Sequence, residues 1–512
     1  MHTENPVRIK AYLISLFAIP VLFYMEYWLI DGAVWCADSV SYVVMYDSRE
    51  PLYPLILALL REIVGIRESL PVEEQPYLFW VAGLQSILAG VSVGSLVSYL
   101  VKRFKVGIRT GYALIAIPIL VSLLNRYAAR RGSMYSNCIL TEGITISIYM
   151  LFIRFLFEYI CTGRRGAFVW SLALAVLGIS ARKQMYVLAG LLILTIMVKL
   201  ICVIRENAQR GEKTQRGKPA DLVEGLPDSP DSAEPACQND MNMRGLFAYL
   251  AIAVTAIAII PTLFDCTYNY FLRGSFIRHT EDNRFVSTMV FYTADREFSE
   301  YVTPELRDIY LQIYDACDEA GYTYRYEPDG WMGAVDHFAQ NYDHIQLDTM
   351  EVILEETADD TGYAPVDRCA THSARMDAIR REFNSALLPH EIGRIFRVFV
   401  YNFMSGLVLT VARMHPVLCV YSVLVYAGYA ALLVFAYRGW EKTSDRTLAD
   451  AGLFGSLVIL STLLNTALVS AVIFCQTRYT IYNFPLVYMA FVCMAVKVLG
   501  RRTDKKDNDV LE

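Results

Sequence analysis

The sequence predicts an α-helical polytopic membrane protein with about ten transmembrane helices and an inserted extracytoplasmic domain. Apolar residues make up 55% of the 512 positions, and charged residues make up only 19%. Soluble proteins, by comparison, carry roughly 25% charged residues. Apolar runs of about 20 residues recur along the chain, and this is the length that a helix needs to cross a bilayer.

The charge and the cysteine content exclude other classes of protein. The net charge of −6 argues against a nucleic-acid-binding protein, because neutralising phosphates requires a basic surface. Eleven cysteines without a CxxC pair form neither a disulfide framework nor a zinc array in a chain of this length. The lipid bilayer is therefore the first partner that the composition indicates.

Ten segments are predicted to cross the membrane. The first has no small-residue cleavage site after a short apolar core, so we expect a retained anchor and not a signal peptide. The ten segments are 11–30, 77–101, 110–124, 143–160, 167–180, 185–204, 245–264, 414–437, 451–475 and 480–498.

Positive charge in the short connecting loops predicts the orientation. Lysine and arginine collect at 102–105, 164–165, 205–218, 438–446 and 501–506, and these positions share one side of the membrane if ten segments span it. By the positive-inside rule that side is the cytoplasm. We therefore expect a multi-pass protein of the cell membrane with both termini in the cytoplasm.

The predicted spans divide the chain into modules. Residues 1–204 form an N-terminal transmembrane module, whose first outer loop is 31–76. Residues 205–244 are polar, contain four prolines, and are expected to be a disordered cytoplasmic linker. A span at 245–264 then leads to an extracytoplasmic domain with an interfacial helix at 265–413. Transmembrane helices at 414–500 and a cytoplasmic tail at 501–512 complete the chain.

The end of the predicted extracytoplasmic domain can be interpreted in two ways. The stretch 391–413 mixes three arginines with phenylalanine and valine, which favours a helix lying at the membrane interface. The alternative is a further transmembrane span, which would reverse the orientation of everything after it.

Several positive charges are predicted on the outer side, against the topology rule. Arg126 and Arg130 lie in one short outer loop, Arg182 and Lys183 lie in another, and Arg478 precedes the last span. A cation near the membrane core is costly unless it is paired, so such residues are candidate functional sites. Guanidinium groups match phosphate oxygens through paired hydrogen bonds, which predicts a lipid phosphate at the outer leaflet. The alternatives are contacts with lipid headgroups and salt bridges to the outer domain.

The first outer loop contains a candidate base. Asp38 and Tyr42 are four residues apart, so a helix would place both on one face, and Arg49 follows in the same loop. A carboxylate at the membrane boundary can accept a proton from a hydroxyl and orient it for attack. The alternative is that Asp38 only caps a helix.

Four sequence features, in this order, resemble the lipid-carrier-dependent glycosyltransferases of the GT-C superfamily. They are an acid after the first span followed by Pro51-Leu52-Tyr53-Pro54, the Thr141-Glu142 pair that opens the fourth span, the Ala181-Arg182-Lys183 tip, and Arg478-Tyr479 followed by Pro485. The resemblance covers roughly residues 8–205 and 445–500 and is greatest to the protein O-mannosyltransferase and aminoarabinose transferase branch. Two features depart from that pattern: Lys183 stands where the family has proline after the arginine, and the loop has one acid at the Asp38 position, where some relatives have two.

The resemblance implies a GT-C-like fold and a sugar transfer, usually with inversion, from a polyprenyl-phosphate donor on the outer face. A hexosyl or pentosyl group would pass to a hydroxyl of a glycan, lipid or protein acceptor. Asp38 would act as the catalytic base, and Glu142 would orient the substrate or one of the cations. The donor phosphate would be held by the cations of the outer loops, with Tyr42 as a further substrate-binding residue: Arg49, Arg126, Arg130, Arg182, Lys183 and Arg478. No metal-binding residue and no definite cofactor is predicted; the alternative is a divalent cation.

Other functions remain open at this point. A polymerase or ligase of lipid-linked polysaccharide would share the outer arginines but would need no catalytic acid. A transporter or flippase would be expected to carry paired repeats and polar groups at mid-membrane, whereas here polar groups collect at the outer ends of the spans. A non-catalytic sensor would not need Asp38 and the outer arginines together.

Overall fold

The computed structural model describes residues 6–129, 132–215, 243–280, 283–358, 372–411 and 415–508. The described residues form α-helices joined by short turns, with one isolated β-bridge between Val34 and Cys138 and no strand. Eight of the helices are long and apolar enough to cross a membrane. A polytopic helical membrane protein is thus supported.

Nine α-helices of the described chain precede the inserted domain. They are α1 (Pro6–Asp31), α2 (Ser39–Val43), α3 (Leu52–Val64), α4 (Pro76–Phe104), α5 (Ile108–Tyr127), α6 (Glu142–Thr162), α7 (Arg165–Ala181), α8 (Tyr186–Gln215) and α9 (Met243–Arg273). Helix α8 continues eleven residues into the predicted linker, so the predicted disorder is wrong for 205–215, whereas the cytoplasmic location of this stretch stays a prediction. The Arg, Glu, Ala, Gln and Lys residues of this stretch favour helix. The remaining linker positions 216–242 lie outside the described residues.

Helices α1 and α4 pack closely because two glycines of α4 face α1. A Cβ added at Gly90 would lie 2.4 Å from the Cα of Val21, and one added at Gly94 would lie 2.9 Å from the Cα of Phe17. Small residues four apart allow two helix backbones to approach each other in a membrane, where dispersion contacts drive helix association.

The described residues of the inserted domain form five α-helices around a second hydrophobic core. They are α10 (Arg284–Thr293), α11 (Arg307–Glu319), α12 (Trp331–Asp343), α13 (Val352–Thr357) and α14 (His372–Gly406). The domain begins later than the predicted residue 265, because α9 extends to Arg273. Along this extension Asn269 donates to Asp265 (3.3 Å) and Arg273 donates to Asn269 (2.5 Å), so the polar residues satisfy one another on one helix face.

Helix α14 (His372–Gly406) differs from the predicted interfacial helix, because it starts well before residue 391 and runs without a break past Pro389 to Gly406. The prediction of a separate helix at 391–413 is therefore wrong. The Glu391 carboxylate accepts a hydrogen bond from the Thr293 hydroxyl inside the inserted domain, which ties this part of α14 to the domain core. Helix α14 is also not among the eight helices apolar enough to span.

The C-terminal part contains α15 (Pro416–Thr443), α16 (Arg446–Ser470), the single turn α17 (Thr477–Thr480) and α18 (Phe484–Asn508). The predicted span 480–498 begins too early. Pro485 would lack a hydrogen bond and clash with the preceding turn inside a longer helix, but it is tolerated in the first turn of α18. Helix α18 also continues into the predicted tail, as far as Asn508.

The predicted count of ten spans remains a prediction. Two of the ten predicted segments correspond to shorter apolar helices, Arg165–Ala181 and Phe484–Gly500. Each covers about 26 Å at 1.5 Å per residue, slightly less than the roughly 30 Å of a bilayer core.

Candidate functional site

Two loops that follow different helices are joined by backbone hydrogen bonds at one end of the bundle. The Val34 amide donates to the Asn137 carbonyl (2.8 Å), and the Ile139 amide donates to the Val34 carbonyl (3.0 Å). The Ser39 hydroxyl donates to the Ile139 carbonyl at 2.8 Å. These bonds place the start of α2, and Asp38 just before it, beside the start of α6.

Asp38 is held by two arginines and does not cap α2. Its carboxylate forms no capping hydrogen bond. Instead it accepts from Arg49 at 3.2 Å and from Arg478 at 2.9 Å. Arg49 also donates to Ser41 (2.8 Å) and Tyr42 (3.2 Å), and its guanidinium carbon lies 4.6 Å from the Tyr42 ring centroid. About a third of the Asp38 side chain (35%) remains exposed.

Glu142, the first residue of α6, lies in the same cluster. Its carboxylate is 2.7 Å from an Arg182 nitrogen and 4.0 Å from the Arg478 Nε, and only 2% of its side chain is exposed. Arg182 also donates to the Thr141 hydroxyl at 3.0 Å. Arg478 thus lies between the carboxylates of Asp38 and Glu142, and Arg182 pairs with the more buried one, that of Glu142.

Tyr479 lies next to both of these arginines. Its ring centroid is 5.2 Å from the guanidinium carbon of Arg182 and 4.8 Å from that of Arg478, which are cation–π distances. Its hydroxyl accepts a hydrogen bond from Arg478 at 2.7 Å. The aromatic ring therefore restricts the positions of both guanidinium groups. In the sequence, this role is indicated only by the position of Tyr479 directly after Arg478.

The cluster carries one more positive charge than negative charge. Three guanidinium groups, those of Arg49, Arg182 and Arg478, face the two carboxylates of Asp38 and Glu142. Burial raises the pKa of Asp38, but the Arg478 and Arg49 guanidinium groups more than offset this, so that the pKa lies below its usual value. Asp38 is therefore ionised at neutral pH, and an added anion would balance the charge of the cluster.

A buried glutamine of α4 forms hydrogen bonds with the loop that leads into α6. Gln85 of α4 is fully buried and donates to the carbonyls of Ser136 (2.9 Å) and Cys138 (3.0 Å). It also accepts from the Tyr53 hydroxyl at 2.8 Å, which ties α3 to the same loop. The sequence analysis missed Gln85, although a glutamine inside an apolar span is itself a signal that a polar partner lies nearby.

The remaining predicted site residues lie elsewhere. Arg126 forms an ion pair with Asp31 and contacts the rings of Tyr27 and Tyr127, away from the contacts of Asp38 and Glu142. Arg130 lies outside the described residues. The structure therefore brings together Asp38, Tyr42, Arg49, Glu142, Arg182 and Arg478.

Lys183 lies in a different environment from its neighbour Arg182. Its backbone amide donates to Glu50 at 2.9 Å. Its side chain lines a small cavity that also borders Asp265, Arg278 and His279. The two basic residues of the predicted tip thus face different surroundings.

Within the described parts of the chain, no three His, Cys, Asp or Glu residues lie close enough together to hold a metal ion. The two acids of the cluster are each bound by guanidinium groups. No family model, curated protein or solved structure matches the chain.

Proposed function

We propose that the chain is a membrane glycosyltransferase that moves a sugar from a polyprenyl-phosphate donor to an acceptor hydroxyl at the outer face of the membrane. The observation that carries this proposal is the cluster of Arg49, Arg182 and Arg478 around Asp38 and Glu142. It combines an excess of guanidinium groups with a partly exposed, ionised carboxylate.

Arg478 and Arg182 are suited to bind the donor phosphate. Both are partly exposed, at 27% and 16% of their side chains, so a ligand can reach them without unfolding the site. Guanidinium groups bind phosphate through two parallel hydrogen bonds. They would also stabilise the negative charge that develops on the phosphate as it leaves, and such preorganised charge is often the largest contribution to catalysis.

Asp38 is suited to act as the base. In the reaction the acceptor oxygen forms a bond to the anomeric carbon of the sugar while its proton passes to Asp38. The bond between that carbon and the phosphate oxygen breaks, and the polyprenyl phosphate leaves with the electron pair. Attack from the face opposite the phosphate inverts the anomeric centre.

Donor binding would strengthen Asp38 as a base. In the described structure Arg478 is hydrogen-bonded to Asp38, which lowers the pKa of this carboxyl and its affinity for a proton. A phosphate that takes over the Arg478 hydrogen bonds removes part of this effect, so the pKa of Asp38 would move back towards its usual value. Proton uptake would then be favoured only when donor is present.

Glu142 has a different role in this scheme. Its side chain is almost fully buried and bound to Arg182, so it is poorly placed to meet an acceptor. It would hold Arg182 in position for the phosphate.

The phosphate-binding role can be tested with alanine and lysine variants. Arg182→Ala and Arg478→Ala should each weaken binding of a polyprenyl phosphate by on the order of 2–5 kcal/mol, which is about thirtyfold or more. The lysine variants should retain part of the affinity, because they keep the charge but lose the paired hydrogen bonds. Affinity can be measured with purified protein in detergent.

Arg126→Ala is the matched control, because Arg126 is paired with Asp31 outside the cluster. It should bind polyprenyl phosphate as the unmodified protein does. Unchanged affinity in both Arg182→Ala and Arg478→Ala would contradict the proposed function.

A further inference from the structure

Three amide side chains meet next to the single helical turn that carries Arg478. They come from separate elements: Gln184 lies two residues after Arg182, Asn465 lies in α16, and Asn483 precedes α18. None of them touches Asp38 or Glu142 in the described structure. They bind instead to the backbone of α17 and to one another.

The carbonyl oxygen of Tyr479 is the meeting point of this network. Gln184 Nε2 donates to it at 2.7 Å, and Asn465 Nδ2 donates to it at 2.9 Å. Gln184 also donates to Asn465 Oδ1 (2.8 Å), and Asn465 donates to Asn483 Oδ1 (3.0 Å). Two side-chain donors therefore converge on the carbonyl of the residue that follows Arg478.

The network continues into the bundle. Asn483 Nδ2 donates to the hydroxyls of Tyr149 and Ser461, both at 3.1 Å. Asn465 is fully buried, and Asn483 is 2% exposed. An unpaired buried amide would cost about 1–3 kcal/mol, whereas a satisfied network makes the local structure rigid.

Helix α17 needs such support. It comprises only Thr477–Thr480, and a single turn has no stability of its own because nucleating a helix is unfavourable. The network thus anchors this turn to α16 and α18. Through Gln184 it also ties the turn to the segment that carries Arg182.

We propose that Asn465 and Gln184 are positioning residues that hold Arg478 against Asp38 and Glu142 through the carbonyl of Tyr479. For its effect on sugar transfer the inference rests on the proposed function. A displacement of about 1 Å at a reacting group can cost on the order of a hundredfold in rate. Loss of the network should therefore reduce transfer without removing any group that touches the substrate.

The test is a double-mutant cycle between Asn465→Leu and Arg478→Ala. Asn465→Leu should lower the sugar-transfer rate by about ten- to a hundredfold in the otherwise unmodified protein. In the Arg478→Ala background it should have almost no further effect, because the residue that it positions is absent. Effects that multiply in the double variant would overturn the inference.

Two further variants separate positioning from a general loss of stability. Gln184 is only partly buried, so Gln184→Met should fold and should show the same dependence on Arg478. Asn402→Leu is the matched control, since Asn402 is 1% exposed but its amide bonds to none of the described residues. This control should transfer sugar at the unmodified rate, and an equal loss in it would overturn the inference.

Binding of a polyprenyl phosphate distinguishes the two proposals. If Arg182→Ala and Arg478→Ala both leave this binding unchanged, the proposed function fails and the inference fails with it. If Arg478→Ala weakens binding and Asn465→Leu lowers neither binding nor transfer, the proposed function stands and the positioning inference alone fails. Weakening by Asn465→Leu that disappears in the Arg478→Ala background supports both.

Discussion

Asp38 combines partial exposure with two ion pairs, and its substitution is the sharpest test of the proposed reaction. Asp38→Asn keeps the shape of the side chain but removes its negative charge and its basicity. We expect normal insertion, near-normal donor binding, and sugar transfer reduced by about a hundredfold or more, the usual contribution of a general base. The measurement is the transfer rate at saturating donor.

A matched control for this variant lies in the same loop. Asp47 is partly exposed, and among the described residues it is bonded only through its backbone carbonyl, to the amide of Thr280, so Asp47→Asn should leave transfer unchanged. If Asp38→Asn retained most of its activity, Asp38 would not be the base. The arginine cluster would then fit a polysaccharide polymerase or ligase, which needs no catalytic acid.

Glu391 predicts a pH dependence of stability in the inserted domain. It is 1% exposed, and burial raises its pKa to about 8, partly opposed by the Thr293 hydrogen bond and by Arg394. The unfolded chain releases this proton near pH 4.5, whereas the folded domain keeps it until about pH 8. The free energy of unfolding should therefore fall as the pH rises through this interval.

Glu391→Gln should remove most of this dependence, because an amide does not titrate. The thermal unfolding midpoint, measured from pH 5 to about pH 8.5, should then vary less with pH than in the unmodified protein. Glu305→Gln, at an exposed position of the same domain, is the control and should keep the original dependence. Equal slopes in all three proteins would exclude Glu391 as the cause.

Individual site residues could be predicted where their position relative to the predicted spans indicated that they lie at the outer face. Asp38, Glu142, Arg182 and Arg478 stand at the ends of predicted spans, and the structure brings them together. The sequence could not show that Arg126 pairs with Asp31, because predicted depth in the membrane does not identify a partner. Nor could it show which amides inside apolar spans meet, since that depends on how the helices pack.

At the scale of elements, the contact of α1 with α4 predicts an effect of glycine substitution. An added Cβ at Gly90 would lie 2.4 Å from the Val21 Cα, so the two backbones would have to separate. Gly90→Ala should lower the free energy of unfolding by about 1–3 kcal/mol, the usual cost of overpacking. Thermal unfolding in detergent measures this change.

Gly190 provides the matched control, because it also lies within a candidate spanning helix, but a Cβ added there would meet no neighbouring atom of the described residues within 4 Å. Gly190→Ala should be neutral or slightly stabilising, since alanine favours helix over glycine. A similar loss of stability in both variants would contradict the proposed role of close backbone approach.

The positions of most helices could be predicted from apolar runs, but several of their ends could not. Apolar composition does not show that Asp265, Asn269 and Arg273 bond to one another and so extend α9. Pro485 did carry information about the start of α18, and its position in the first turn agrees with the general preference of proline. The continuity of α14 past Pro389 depends on packing within the inserted domain, which no local pattern reveals.

At the scale of the whole molecule, the charge distribution predicts the orientation in the membrane. Glu206, near the end of α8, and Asp329, in the inserted domain, are both exposed. With the native cysteines replaced by serine, Asp329→Cys should react with a membrane-impermeant thiol reagent added to intact cells. Glu206→Cys should react only after the cells are permeabilised, because it is predicted to face the cytoplasm.

Each of the two cysteine variants serves as the control for the other. Labelling of Glu206→Cys in intact cells, with Asp329→Cys protected, would reverse the predicted orientation. It would also move the proposed site to the cytoplasmic face.

The core of the inserted domain is completed by a residue from the bundle. Phe474, between α16 and α17, packs against Tyr342 with ring centroids 5.2 Å apart, and it lies four residues before Arg478. Excising the domain would therefore expose this ring and leave the approach to Arg478 unsupported. Replacing the domain by one from another protein would therefore also require replacing the 471–476 segment, so that the ring at position 474 still fits the new core.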